Sequence, residues 1–228
     1  MAGISLRFNF GTQPAWGLRA RELFNVPYNM FDPHPDVKPD PGDAGRYLRR
    51  FRLGEHAAKA GMNPGDYVRL AEHHFGVLEV AGVHLPDREH CFDRLGSTEP
   101  RGLQLYTSVA AIYGESLHDI EGPQKRALAS QLFDSLHAYF WWTRINGGRF
   151  VLSDLVKFNQ YRLGTTADDP VRGLYLHDIS PHLIDHEQPY DHTWWERERD
   201  RLDELAEYVG ATLTDNPLYR EPVTNQEE

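Results

Sequence analysis

The chain has 228 residues, and its 24 Lys+Arg against 34 Asp+Glu leave a net charge of −10. An acidic balance gives no general attraction to nucleic-acid phosphate or to anionic lipid, so neither nucleic acid nor membrane is an expected partner. At 40% hydrophobic and 25% charged residues the composition is that of a globular protein, and no stretch reaches the roughly 18 uninterrupted apolar residues of a membrane helix.

In chain order, the opening MAGISLRFNFG has no apolar run behind basic residues, so a signal peptide is not expected. The single Cys91 excludes an internal disulfide, and both features fit a reducing cytoplasm. Residues 1–45 read as an N-terminal segment. Within 27–44, Pro33, Pro35, Pro39 and Pro41 alternate with Asp32, Asp36, Asp40 and Asp43. Prolines at that density sustain neither a helix nor a central strand, and a long surface loop is expected. RYLRRFRL (46–53) alternates like a strand. Asn63 as N-cap and Pro64 as first helical residue open a helix with Tyr67, Leu70, Ala71, Phe75 and Leu78 at helical spacing, ending in a turn at Gly82.

HLPDREHCF and GLQLYTSVAAI, separated by GSTEPRG, read as a hairpin. Gly122-Pro123 opens a second helix with Leu128, Leu132, Leu136 and Phe140 on one face, stopped by Gly147-Gly148. RFVLSDL and RGLYLHDI are two short apolar strands around the polar turn TTADDP. Thr193-Trp194-Trp195-Glu196 is a capping-box pattern opening a charged helix with apolar Trp195, Leu202, Leu205 and Val209 and a C-cap at Gly210. Its Glu-Arg-Glu-Arg run at 196–199 reads as a solvated face. Residues 214–228 read as a flexible tail. The order strand, helix, hairpin, helix, hairpin, helix is an α+β pattern, sheet-rich first and helical second.

Asp154 ends one apolar strand, Asn159 follows five residues later, and Asp178 ends another. Paired as a hairpin, the two strands would bring Asp154 and Asp178 to one edge with the Asn159 amide between them. Such oxygen donors suit Mg²⁺, and a separate carboxylate can accept a proton from an attacking hydroxyl. The plainer reading is that Asp154 caps a turn, Asn159 holds a left-handed position and Asp178 merely ends a strand.

The run Asp154-Leu-Val-Lys-Phe-Asn159 has the Asp-x₄-Asn spacing of a phosphotransferase catalytic loop. Upstream, Glu72 lies ten residues before Gly82, Gly82-Val-His-Leu-Pro86 follows as a turn, and 103–117 end in Gly114-x-x-Leu117. Together these segments, over about residues 46–184, resemble the protein-kinase-like and aminoglycoside-phosphotransferase-like superfamily. The resemblance implies a two-lobed protein-kinase-like fold, with a small sheet-rich N-lobe at 46–113 and a reduced helical C-lobe at 114–213. It also implies ATP and Mg²⁺. Asp154 would be the base, and Asn159 and Asp178 would hold the metal. Glu72 would anchor a strand arginine, Arg50, on the phosphates, with the nucleotide near Ala110 and Ile112.

The sequence departs from that pattern at several points. Leu152-Ser153-Asp154 stands for His-Arg-Asp, and Asp178-Ile179-Ser180 for Asp-Phe-Gly. The strand lysine is missing, and no Gly-x-Gly-x-x-Gly precedes the strand; Gly11 and Gly17 flank the glycine-containing turn upstream. The expected function is transfer of the γ-phosphate of ATP to an unidentified hydroxyl acceptor. The alternative is a pseudokinase-like binding protein with a protein partner. A third reading takes His177, His182, His186 and His192, interleaved with Asp178, Asp185, Glu187 and Asp191, as a hydrolase site for Zn²⁺, Fe²⁺ or Mn²⁺. In it, His182 and His186 would meet at helical i,i+4 spacing. His73, His74 and His137 read as packing or surface residues, and Cys91 as a buried structural thiol.

Overall fold

A computed structural model of the chain describes residues 14–24, 36–94 and 103–219. Gly11, the first part of the proline-rich segment, the GSTEPRG loop and the end of the tail lie outside those residues. The fold is mixed α+β with small antiparallel sheets. It divides into two compact units: Met1–Leu70, Leu85–Gly114 and Gly164–Gly173 form one, and Ala71–His84, Glu115–Leu163 and Leu174–Glu228 the other.

The first unit is built on four strands in the order β1-β2-β4-β3, with β1 Val37–Pro39, β2 Arg46–Phe51, β3 Arg88–Arg94 and β4 Leu103–Ala110. The β3–β4 hairpin forms as expected, from Arg88 opposite Val109 to Arg94 opposite Leu103. The proline-rich segment is not wholly loop. Val37–Pro39 pairs with β2 at the sheet edge, where a proline without an N–H can be accommodated. Strand β2 stops at Phe51, because Leu53–Lys59 form a short helix, α2.

Helix α1 (Ala15–Phe24) was not legible from the sequence pattern. It lays Ala20 and Phe24 on Leu48 and Tyr106, with the Phe24 and Tyr106 rings stacked 5.9 Å apart. The face of β2 that carries Leu48 is therefore covered by α1. Helix α3 (Pro64–Val80) begins as read: Asn63 Oδ1 accepts the Asp66 N–H at 2.9 Å. Tyr67, Ala71, Phe75 and Leu78 are buried along it, and Gly82 turns the chain at φ +104°.

In the second unit, helices α4 (Gly122–Ile145) and α5 (His192–Val209) pack together over the short antiparallel pair β6 (Phe150–Leu152) and β9 (Leu183–Asp185). Helix α4 buries Leu132, Leu136, Tyr139 and Phe140. Gly210 ends α5 in the left-handed conformation at φ +76°. Asp191, at the N-terminal boundary of α5, accepts the Asp185 N–H at 2.8 Å instead of capping the helix.

Three further strands, β5 (Tyr113–Ser116), β7 (Tyr161–Thr165) and β8 (Gly173–Leu176), form a sheet in the order β5-β7-β8. The expected hairpin of RFVLSDL with RGLYLHDI is thus corrected. The turn lies where it was placed, with the Thr166 N–H donating to Asp169 O at 2.9 Å. The strand entering it, however, is β7. Strand β8 neighbours β7, and β6 pairs with β9 beyond Asp178.

Candidate functional site around Asp154

Asp154 follows β6 directly and holds φ +60°, the one positive φ at a non-glycine among the described residues. Leu152 pairs with Leu183, so the next residues out, Ser153 and His182, also face each other. The Ser153 N–H donates to His182 O at 2.9 Å, and Ser153 Oγ lies 2.8 Å from His182 Nδ1. Asn159 is exposed in the 3₁₀ turn Phe158–Gln160, and the carbonyl of Gln160 accepts the His177 N–H at 2.8 Å. Two backbone bonds therefore stitch the loop from 153 to 160 onto the segment from 177 to 182. The corrected strand pairing still brings the segments bearing Asp154, Asn159 and Asp178 side by side. Asp178 Oδ1 accepts both the backbone N–H and the hydroxyl of Ser180, at 3.1 and 2.8 Å, which shapes its own turn.

The Asp154 carboxylate faces two cations. Its Oδ1 pairs with Lys157 Nζ, and Arg201 Nη1 on α5 reaches it at 3.4 Å. Arg201 Nη1 also donates to Glu198 Oε1 at 2.9 Å, and Glu198 Oε2 accepts the Val156 N–H at 3.2 Å. Glu198 is fully buried, so the reading of 196–199 as a solvated face is corrected at this position. Burial pushes its carboxyl above the usual range, against the Val156 N–H and the Arg201 guanidinium, which favour the charged form. Glu198 and Arg201 were missed by sequence reasoning, although a signal exists. Trp195, Glu198, Leu202 and Leu205 follow at three- and four-residue steps, which puts an acid on the stripe that packs inward.

Beneath the loop, Tyr139 on α4 supports β6. Its hydroxyl accepts the Leu152 N–H at 3.0 Å and is hydrogen-bonded to His74 Nδ1, 2.8 Å away on α3. Burial lowers the His74 imidazole to about 4, so it stays neutral near pH 7. Tyr161, also buried, donates its hydroxyl to Leu155 O at 2.7 Å.

Of the residues assigned to a nucleotide, Arg50 lies on the covered face of β2. Its Nε donates to Asp36 at 2.8 Å, its Nη1 to the Phe24 carbonyl at 3.1 Å, and its guanidinium lies 5.3 Å over the Phe24 ring. Glu72 is buried on α3. Ala110 is buried at the end of β4 with its N–H donated to Asp87 O at 2.9 Å, and Ile112 follows in the link to β5.

The histidines of 177–192 turn to separate partners. His182 meets Ser153, His186 Nδ1 lies 3.0 Å from Arg149 O, and His192 Nδ1 lies 3.5 Å from Glu196. Strand β9 runs between His182 and His186, so their i,i+4 spacing has no helical meaning. Among the described residues, no group of three or more His, Cys, Asp and Glu is placed to hold a metal ion. Cys91 is buried beside Gly17, as a structural thiol would be. Comparison with protein-family models, curated proteins and solved structures finds no match.

Proposed function

We propose that the chain is a small protein-kinase-like phosphotransferase, with a sheet-rich lobe and a reduced helical lobe, acting on a hydroxyl acceptor. The observation that carries this reading is the pairing of β6 with β9, joined by the Gln160–His177 bond. It aligns the Asp154 turn, the Asn159 turn and the Asp178 turn within one unit. Asp154 would orient the acceptor hydroxyl and take its proton as the hydroxyl oxygen bonds to the γ-phosphorus of ATP and ADP leaves. Lys157 and Arg201 fix the direction of that carboxylate. Asn159 and Asp178 offer one amide and one carboxylate oxygen, the hard donor set that suits Mg²⁺ with several waters retained. When bound, the ion supplies charge neutralisation on the phosphates.

The test is a thermal shift with ATP and Mg²⁺, repeated on Asp178→Asn. A ligand at 100 times its Kd stabilises by about 2.7 kcal/mol, readily visible in the melting temperature. A shift that needs both ATP and Mg²⁺ and vanishes in the variant supports the reading, and no shift at millimolar ATP overturns it. One observation favours the second reading, a non-catalytic binding protein: Arg50 already holds Asp36 and the Phe24 carbonyl. That reading predicts no transfer of labelled phosphate to any acceptor, even where ATP binds.

A further inference from the structure

Beside the Asp154 turn the second unit has an open groove of 660 Å³. Phe158, Leu205 and Tyr208 give it an apolar side, and Lys157, Asn159 and Arg201 a polar one. We infer that this groove binds a small anion carrying an aromatic ring, with the anionic group on Arg201 and Lys157 and the ring against Phe158 and Tyr208. The inference does not rest on the phosphotransferase reading, because nothing in it requires ATP or a metal.

The volume falls in the range of small-molecule sites, roughly 300–1,000 Å³. The arginine is the main argument. Arg201 bonds to Glu198 and to Asp154 through the same nitrogen, Nη1. Its Nε and Nη2 donate to no protein group among the described residues, so a guanidinium held by a buried carboxylate still has donors to offer. A plane fixed in that way is prepared for bidentate contact with a carboxylate or phosphate. Lys157 meets Asp154 alone among the described residues, and the Asn159 amide, exposed at the same wall, adds a further donor. The carboxylates that hold these cations, Asp154 and Glu198, are not part of the lining. Of the acids, Glu204 is, so the groove presents Lys157 and Arg201 against one carboxylate.

The apolar side argues for the ring. Phe158 and Tyr208 meet edge to face at 5.8 Å, and Tyr208 remains 45% exposed, leaving aromatic surface for a third ring. The Asp154 carboxylate lies against the same two cations, so its negative charge opposes that of the ligand's anionic group.

The test is calorimetric titration with phenyl phosphate in the absence of divalent metal, with inorganic phosphate and phenol as the separate halves. Phenyl phosphate should bind at least about tenfold tighter than either half. Lys157→Met should weaken it by about tenfold, the worth of one charge-assisted hydrogen bond. Tyr208→Ala, at an exposed position, should weaken it as well, and Asp154→Asn should tighten it by removing the opposing carboxylate. Thermal melts of each variant establish that it is folded. The inference is overturned if phenyl phosphate binds no tighter than phosphate or phenol. It is equally overturned if folded Lys157→Met and Tyr208→Ala bind as the parent does, or if Asp154→Asn binds more weakly.

Discussion

At Asp154 backbone and side chain are both held in an unusual way. A left-handed residue with a Cβ costs about 1–2 kcal/mol, and aspartate is among the side chains that tolerate it best. Here Lys157, Arg201 and the Glu198–Val156 bond hold the turn in place. Strain retained at a polar turn is an observation from which function can be argued. It also makes a measurable difference between two substitutions. Asp154→Ala and Asp154→Gly both remove the carboxylate and its ion pairs, but only glycine accepts φ +60° freely. Glycine gives back about 0.4–1 kcal/mol through the freer unfolded chain, which leaves Asp154→Gly the more stable by about 0.5–1 kcal/mol. Denaturant unfolding of the pair measures this, and an alanine variant as stable as the glycine one would refute it. The sequence singled out Asp154 by its place after an apolar run and its spacing to Asn159. It did not reveal the cations around the carboxylate. Arg201 comes from a helix 47 residues away, and side-chain pairs at such separations leave no periodic trace.

At the scale of elements, helices were read better than strand partners. Asn63, Gly147 and Gly210 bound their helices where capping chemistry put them, because those signals are local. Strands β6 and β9 have three residues each, too short for a period-two pattern, and their pairing is decided by tertiary packing. The Leu183-Ile184-Asp185 strand was hidden in a stretch read for its histidines. Much of what fixes β6 comes from α4. The Tyr139 hydroxyl satisfies the Leu152 N–H and the His74 Nδ1 together, all three buried. Tyr139→Phe keeps the ring and strands both groups without their partner. Each buried polar group left unpaired costs about 1–3 kcal/mol, so for the two a loss of about 2–6 kcal/mol is expected, large for so small a change. Urea unfolding gives the value. A loss below about 0.5 kcal/mol, the size typical of an inconsequential surface change, would mean that Tyr139 does not support β6.

For the molecule as a whole, two buried groups tie stability to pH with opposite signs. Burial holds His74 at about 4, below its ordinary 6.5. As pH falls through 6.5 the unfolded chain takes a proton at this site, while the folded chain refuses it until about 4. The unfolded state then binds more protons, so stability is lost on acidification across that window, in full about 3 kcal/mol. Glu198 acts the other way. Its carboxyl is raised by burial above 4.5, so on acidification the folded state takes up a proton first and gains stability just above that pH. The rest of the −10 charge adds a background, since protonating carboxylates relieves repulsion. A single profile of stability against pH therefore mixes these contributions, and the difference between two profiles isolates one. His74→Asn retains a polar side chain beside Tyr139 and removes the titration. Measured by urea unfolding at pH 7, 6 and 5, the parent should lose more stability than His74→Asn at each step, whatever the offset between them at pH 7. Parallel profiles would show that the imidazole titrates alike in the folded and unfolded chain, and would remove the buried Tyr139–His74 bond from the account of how β6 is held.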